Sequence, residues 1–338
     1  MVALRRATRR MRIAVVGLGA VGGFIAGRLL RCGTHRVSAL ARGATLAALR
    51  ERGLVLREAG QESHLAIEAG DDPRALGAHD LVIVAVKAPS LAALAPTLAP
   101  LIGERGVVLP AMNGVPWWFL QASDPRPLAS VDPGARIAAA LPLASVLGCV
   151  VHFSCSSPAP GVVLHGFGER LIIGEPAGGA VSARVAEVGA ALADAGFGVE
   201  QSADIRRDIW FKLWGNMTTN PVSALTGALT DRIHDDPLVR AFVLQAMAEA
   251  AAIGTRIGCP IAQSGEERMA VTRRLGAFKT SMLQDAEAGR PLEVDALLGA
   301  VHEIGGRVGV EMPAIGALLG LTRLMARTRG LTPLGAVE

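Results

Sequence analysis

Tyrosine is absent from the 338 residues, and aromatic residues amount to only 4%. Of the 34 basic residues only three are lysine (Lys87, Lys212, Lys279), and asparagine also occurs three times (Asn113, Asn216, Asn220). Lysine is ordinarily among the commonest residues, so a chain that uses arginine almost everywhere carries a compositional bias of the kind a GC-rich coding sequence imposes. The lysines and asparagines that survive such a bias become candidates for positions where chemistry needs that side chain. Acid is missing from the first 50 residues, which hold ten arginines; the remainder holds 24 bases against 30 acids. A partner with negative charge is therefore expected near the start of the fold, and a net charge of +4 is too mild for a nucleic-acid binder. Four cysteines (Cys32, Cys149, Cys155, Cys259) form no C-x-x-C pair, and the seven histidines include no H-E-x-x-H. Neither a disulfide framework nor a metal site is expected, and reduced thiols suit a cytoplasmic protein.

Hydrophobic residues at 51% and charged residues at 19% exclude a disordered chain, and the length points to two domains. The arginine-rich head and apolar run of MVALRRATRRMRIAVVGLGAVGGFIAG superficially resemble an export signal. Cleavage after that run would delete the glycine motif within it, so residues 1–10 are expected to be a disordered basic arm, with Met11 opening the fold. Leu81–Ile102 has the length of a membrane span, but Lys87, Pro89, Pro96 and Pro100 interrupt it, and no span is expected.

Residues 12–16 form a short β-branched run ending in Gly17-Leu18-Gly19-Ala20-Val21-Gly22, then an apolar-periodic segment to Leu30, then a second short strand at 36–40. Strand, glycine turn, helix and strand within about 30 residues is the context that gives G-x-G-x-x-G its meaning as a dinucleotide site. The glycines let the backbone approach a pyrophosphate, which the free N–H groups of the helix start attract. NAD binding would place an acid at the end of the second strand; none occurs before Glu51, and Arg42 stands there instead. A guanidinium suits the 2′-phosphate of NADP(H), which is the expected cofactor.

Strand signals continue at 81–86, with Lys87 at the carboxyl end, and at 107–109, ending near Asn113, with a helix expected between them at 91–102. Ligands of an open parallel sheet bind beyond those carboxyl ends. Further β-rich runs lie at 146–153 and 161–173, and an alanine-rich helix at 180–195. Beyond about residue 204 helical periodicity dominates, at 204–219, 237–257, 262–288 and 291–309. The expected architecture is an α/β Rossmann-like parallel sheet domain (11–203) that binds NADP(H), followed by an all-α C-terminal domain (204–338) that holds substrate and catalytic groups. Lys212, Asn216 and Asn220 recur at four-residue steps, each advancing about 400° on a helix, so they share one face. Their neighbours Phe211, Leu213, Trp214 and Met217 are apolar, which makes the polar stripe a ligand-facing one.

The segments GLGAVG (17–22), VKA (86–88), NGV (113–115), KLWGNMTTNPVSALTG (212–227), SMLQD (281–285) and GRPLEVDALLG (289–299) together resemble the 2-dehydropantoate 2-reductase (ketopantoate reductase) family, whose helical domain is similar to that of 6-phosphogluconate dehydrogenase. The resemblance implies reduction of 2-dehydropantoate to (R)-pantoate in pantothenate biosynthesis. It makes Lys212 the general acid at the substrate's C2 oxygen, with Glu293 close by to help place it. Asn216, Asn220 and Ser281 would hold the substrate's hydroxyl and carboxylate, Lys87 and Asn113 would border the nicotinamide and its ribose, and Arg42 would take the 2′-phosphate. Two tryptophans, Trp117 and Trp118, follow Asn113 and are either core or pocket lining. In the second case the substrate would be a bulkier 2-oxo acid. A third reading, from another class, is a non-catalytic NADP(H)-binding sensor. Apolar helical surface can be core or interface, which leaves a homodimer open.

Overall fold

The computed structural model describes residues 9–274 and 276–332. Residues 1–8 of the expected arm lie outside the described residues. Arg9 donates to Asp80 Oδ1 (2.9 Å) and Glu187 Oε1 (3.3 Å), so the end of the arm rests on the folded body.

Seven strands open the chain: β1 (Arg12–Val16), β2 (Arg36–Leu40), β3 (Leu54–Glu58), β4 (Gln61–Leu65), β5 (Glu68–Gly70), β6 (His79–Val84) and β7 (Ile102–Pro110). Among them run α1 (Ala20–Cys32), α2 (Gly43–Arg52), α3 (Pro73–Leu76) and α4 (Ala88–Leu94). Strands β5-β2-β1-β6-β7 form one parallel sheet in that order. Val16 lies level with Leu40 and with Val84, so the carboxyl ends of β1, β2 and β6 line up along one edge. The chain reverses strand order at β1, the switch point where ligands of such sheets bind.

The helix expected at 91–102 is instead the short α4 followed by single 3₁₀ turns at Ala95–Thr97 and Ala99–Leu101. Pro96 and Pro100 each remove an N–H donor and break the regular helix. β3 and β4, where no strand was expected, form a hairpin in which Leu54, Val55 and Leu56 of β3 are buried and the polar β4 is largely exposed. They join a second sheet with β8 (Gly148–Ala159), β9 (Val162–Gly174) and β10 (Gly198–Ser202). The runs at 146–153 and 161–173 are the two arms of the β8–β9 hairpin, and the alanine-rich helix is α6 (Ala183–Asp194), preceded by α5 (Arg136–Ala140).

All-helical structure begins at α7 (Ile205–Thr226), two residues after β10 ends, with the Asp204 side chain accepting from Arg207 N. α7 continues past the expected stop at 219 and through Pro221. The lost N–H costs helix stability, but the helix is packed by α9, α11 and α13 and ends cleanly at Gly227, a left-handed residue whose N–H donates to Ser223 O. There follow α8 (Thr230–Asp235), α9 (Pro237–Arg256), α10 (Gly265–Arg274), α11 (Ser281–Glu287), a π-helical turn (Asp295–Gly299), α12 (Ala300–Arg307) and α13 (Pro313–Thr328). The single helix expected at 262–288 is thus two, separated by Gly276 at φ +79° and restarted by the Thr280 cap. One hydrophobic core runs across both halves: Val84, Val108, Trp118 and Phe119 of the first share it with Trp210, Leu213 and Trp214 of the second. Burying side chains of this size stabilises by roughly 1.5–3 kcal/mol each, so α7 is anchored on the sheet domain as well as on its own helices.

Candidate active site

The glycine loop runs from β1 into α1. Gly17 has φ +89° and a Cβ there would lie 2.7 Å from Val86 Cγ1; a Cβ on Gly22 would lie 2.0 Å from the carbonyl oxygen of Gly17. Both positions are closed to any side chain. Gly19 differs: a Cβ there would meet nothing within 4 Å, and it caps α1 without a side-chain hydrogen bond. The first N–H groups of α1 therefore open on free space, with the dipole favouring an anion. Arg42 is exposed just beyond β2 as the N-cap of α2, and no acid stands at the end of that strand. A dinucleotide fits this cradle.

Lys212 rises from α7 to the sheet edge. Its ammonium donates to Asn113 Oδ1 (2.7 Å) and to the backbone carbonyl of Val151 on β8 (2.5 Å). Part of its surface opens on a cleft shared with Met112, Asn113, Cys149 and Asn216. The protein packed around the ammonium lowers its pKa to about 8; a nearby Glu293 carboxylate opposes that effect. At neutral pH the group is protonated yet ready to release its proton, which an arginine could not do. Burial also pushes the Cys149 thiol up to about 12, so it stays neutral beside Lys212.

Asn113 is fixed from behind. Gly114, at φ +83°, leaves no room for a side chain, since a Cβ there would lie 2.6 Å from Ala296 O. That carbonyl accepts from Val115 N at 2.8 Å. It can do so because Ala300 N donates back five residues to Asp295 O, in the π-helical turn, and leaves the Ala296 carbonyl free. The widened turn thus docks the NGV loop on the helical domain.

A second link lies at the end of β6. Lys87 is tied to Asp285 Oδ2 at 2.5 Å and donates to Pro291 O at 3.2 Å, while Ala88 N donates to Glu293 Oε1 at 3.1 Å. Burial raises the Glu293 pKa; the Ala88 N–H and the Lys87 charge pull it back, and Asp285 adds to the rise. Asn216 lines the cleft with Lys212, and Asn220 is half-buried one turn further along α7. Ser281 is exposed at the first turn of α11, which packs against α7. Trp117 and Trp118 are both core and lining: at 3% and 1% exposure they are buried, and they wall an apolar pocket that shares Asn113, Cys149 and Ile209 with the Lys212 cleft.

Three participants escaped sequence reasoning. The Val151 carbonyl and the Ala88 N–H are backbone groups with no side-chain signature. Asp285 stands in the SMLQD segment, where the sequence singled out only Ser281.

A model of the ketopantoate reductase PanE/ApbA family matches residues 13–178, and the model of its C-terminal region matches residues 204–326. The 2-dehydropantoate 2-reductase of Mesorhizobium japonicum is 40% identical over 95% of this chain and 99% of its own. Among solved structures, a candidate ketopantoate reductase from Ralstonia solanacearum is 58% identical, with a TM-score of 0.92 over 95% of this chain and 99% of that one. The 2-dehydropantoate 2-reductase of Methylococcus capsulatus is 27% identical, with a TM-score of 0.81 over 94% of this chain and 97% of that one. Both family models fall in chain order and together span the parallel-sheet and helical halves, and the chain belongs to the ketopantoate reductase family of oxidoreductases.

Proposed function

We propose that this enzyme reduces 2-dehydropantoate to (R)-pantoate with NADPH, and that Lys212 is its general acid. The carrying observation is the ammonium held between Asn113 Oδ1 and the Val151 carbonyl, with its pKa lowered to about 8. Gly17–Gly22 and Arg42 would hold NADPH, which when bound would supply the hydride for the ketone carbon. Lys212 donates a hydrogen bond to the C2 oxygen, stabilises the charge that develops there, and gives up its proton to form the alcohol. The overall change is ketone plus hydride plus proton to secondary alcohol, so the proton lost by Lys212 returns from solvent after each turnover.

Glu293 holds the Ala88 N–H and lends Lys212 negative charge. Asn216, Asn220 and Ser281 hold the substrate's hydroxyl and carboxylate, and Lys87 and Asn113 border the nicotinamide and its ribose. Residues 11–203 bind the cofactor, and 204–338 carry the substrate and Lys212. Four free thiols suit a cytoplasmic enzyme, and a homodimer is part of the same reading. Purified protein given NADPH and 2-dehydropantoate should oxidise the cofactor in proportion to substrate consumed. The pocket walled by Trp117 and Trp118 favours one second reading: a bulkier 2-oxo acid reduced by the same groups. A panel of 2-oxo acids of increasing size separates the two by kcat/KM.

A further inference from the structure

Two hollows meet at Asn113. One is the cleft of Lys212, which Leu213 and Asn216 of α7 also line. The other is the apolar pocket, walled by Leu91, Val115, Trp117, Trp118, Val131 and Ile137 of the sheet domain. Met112, Asn113, Gly114, Cys149 and Ile209 line both, so these five residues form the boundary between them. Ile209 comes from α7, and the other four from the sheet domain.

Three of the boundary residues are tied to Lys212 by position. Asn113 accepts from its ammonium at 2.7 Å. Ile209 precedes it by three residues on α7, a spacing that puts both on one helix face. Cys149 lies two residues before Val151 on β8, whose carbonyl takes the second hydrogen bond from Lys212 at 2.5 Å. Behind the boundary the wall is fixed. A Cβ on Gly148 would fall 2.9 Å from Trp118 Cη2, and Trp118 and Ile137 are both wholly buried, so the back of the pocket cannot yield without opening voids elsewhere. Of the five boundary residues, Asn113 is held by Lys212, Gly114 admits no side chain, and Met112 is an unbranched chain that adapts to its neighbours. Cys149 and Ile209 remain as the side chains of fixed shape.

The lining of the pocket also states what can occupy it. It carries no charged or hydroxyl side chain, and its one amide, Asn113, already accepts from Lys212. A charged group placed there would lose its water without a partner. A nicotinamide ring would bring a carboxamide, which Asn113 alone among the lining side chains could meet as an amide partner. An alkyl or aryl group gives up nothing and gains by leaving water. We propose that this pocket receives the carbon chain beyond C3 of the 2-oxo acid whose C2 oxygen faces Lys212, and that Ile209 and Cys149 set the size of chain that passes into it. The inference rests on the reductase reading above and adds to it the two residues that grade substrates by size.

The test compares 4-methyl-2-oxopentanoate with 2-oxobutanoate, two acids that differ by two methyl groups on C4, in wild-type protein, Ile209→Ala, Ile209→Phe and Cys149→Ala. The long-to-short ratio of kcat/KM should rise at least about 10-fold in Ile209→Ala and fall by a similar factor in Ile209→Phe, the usual discrimination of an apolar pocket for small changes in chain size. Cys149→Ala should raise the ratio by less, and it decides the matter if the Ile209 variants do not fold. NADPH affinity should be unaltered throughout. A ratio unchanged in Ile209→Ala and Cys149→Ala, or shifted the same way by alanine and phenylalanine at 209, overturns the assignment. Weakened NADPH binding with the ratio intact also overturns it, and gives the pocket to the nicotinamide ring. Wild type that reduces 2-dehydropantoate alone, with Ile209→Ala still inert on the longer acid, overturns the inference and leaves the reductase reading standing. Wild type that reduces none of the three acids overturns that reading itself, and the inference with it.

Discussion

The Lys212 ammonium donates to the side-chain oxygen of Asn113 across 2.7 Å, although 99 positions separate the two in sequence. One residue comes from the helical half and the other from a loop beyond the parallel sheet, so neither half alone holds the ammonium in place. The loop in turn depends on Gly114 against Ala296, and the helix on the core that Trp210, Leu213 and Trp214 share with the sheet.

Activity in the reducing direction should follow the protonated fraction of Lys212. A proton donor must be protonated to act, so kcat/KM should be level below the pKa of about 8 and fall as pH rises through it. Oxidation of pantoate needs the neutral amine and should show the opposite trend. Glu293→Gln removes a charge that raises the Lys212 pKa, so the alkaline limb should move to lower pH. A limb that stays where it was would show that Lys212 does not sense Glu293.

Two substitutions in the glycine loop should separate folding from binding. Gly19→Ala adds a methyl that meets nothing within 4 Å, whereas Gly22→Ala would place one 2.0 Å from a carbonyl oxygen. The first should keep the thermal midpoint and lose NADPH affinity; the second should lower the midpoint. Unchanged NADPH binding in Gly19→Ala, measured by fluorescence titration, would place the pyrophosphate elsewhere.

Arg42→Ala should weaken NADPH much more than NADH, because only NADPH carries the 2′-phosphate. Dissociation constants for both cofactors check it, and equal effects would make Arg42 a bystander.

Gly114→Ala should destabilise the protein by about 1–3 kcal/mol, the usual cost of forcing a side chain into such a conformation, with a further cost from the 2.6 Å approach to Ala296 O. Chemical denaturation measures it, and a variant as stable as wild type would mean that the π-helical turn yields.

Much of this was legible because composition made it so. In a chain with three lysines and three asparagines, Lys212, Asn113 and Asn216 line one cleft and Lys87 stands beyond the end of β6, while Asn220 is half-buried one turn further along α7. Lys279 is the exception, an exposed residue paired with Glu287 at 2.7 Å. The central strands β1, β2, β6 and β7 of the first sheet could be read from apolar runs, whereas β5 (Glu-Ala-Gly), the three-residue apolar run of β3 and the polar β4 are too short or too polar to stand out from loop. Helix ends went astray at proline in both directions: Pro96 and Pro100 do break the helix expected at 91–102, whereas Pro221 sits within a helix that tertiary contacts carry past the expected end at 219.

The central claim is that Lys212 gives the proton to a 2-oxo acid, and steady-state oxidation of NADPH by 2-dehydropantoate tests it most directly, with wild type beside Lys212→Ala. The account predicts turnover by wild type, a loss in kcat of at least about 10²-fold in the variant, and NADPH affinity nearly intact. Near-wild-type turnover in Lys212→Ala would contradict it.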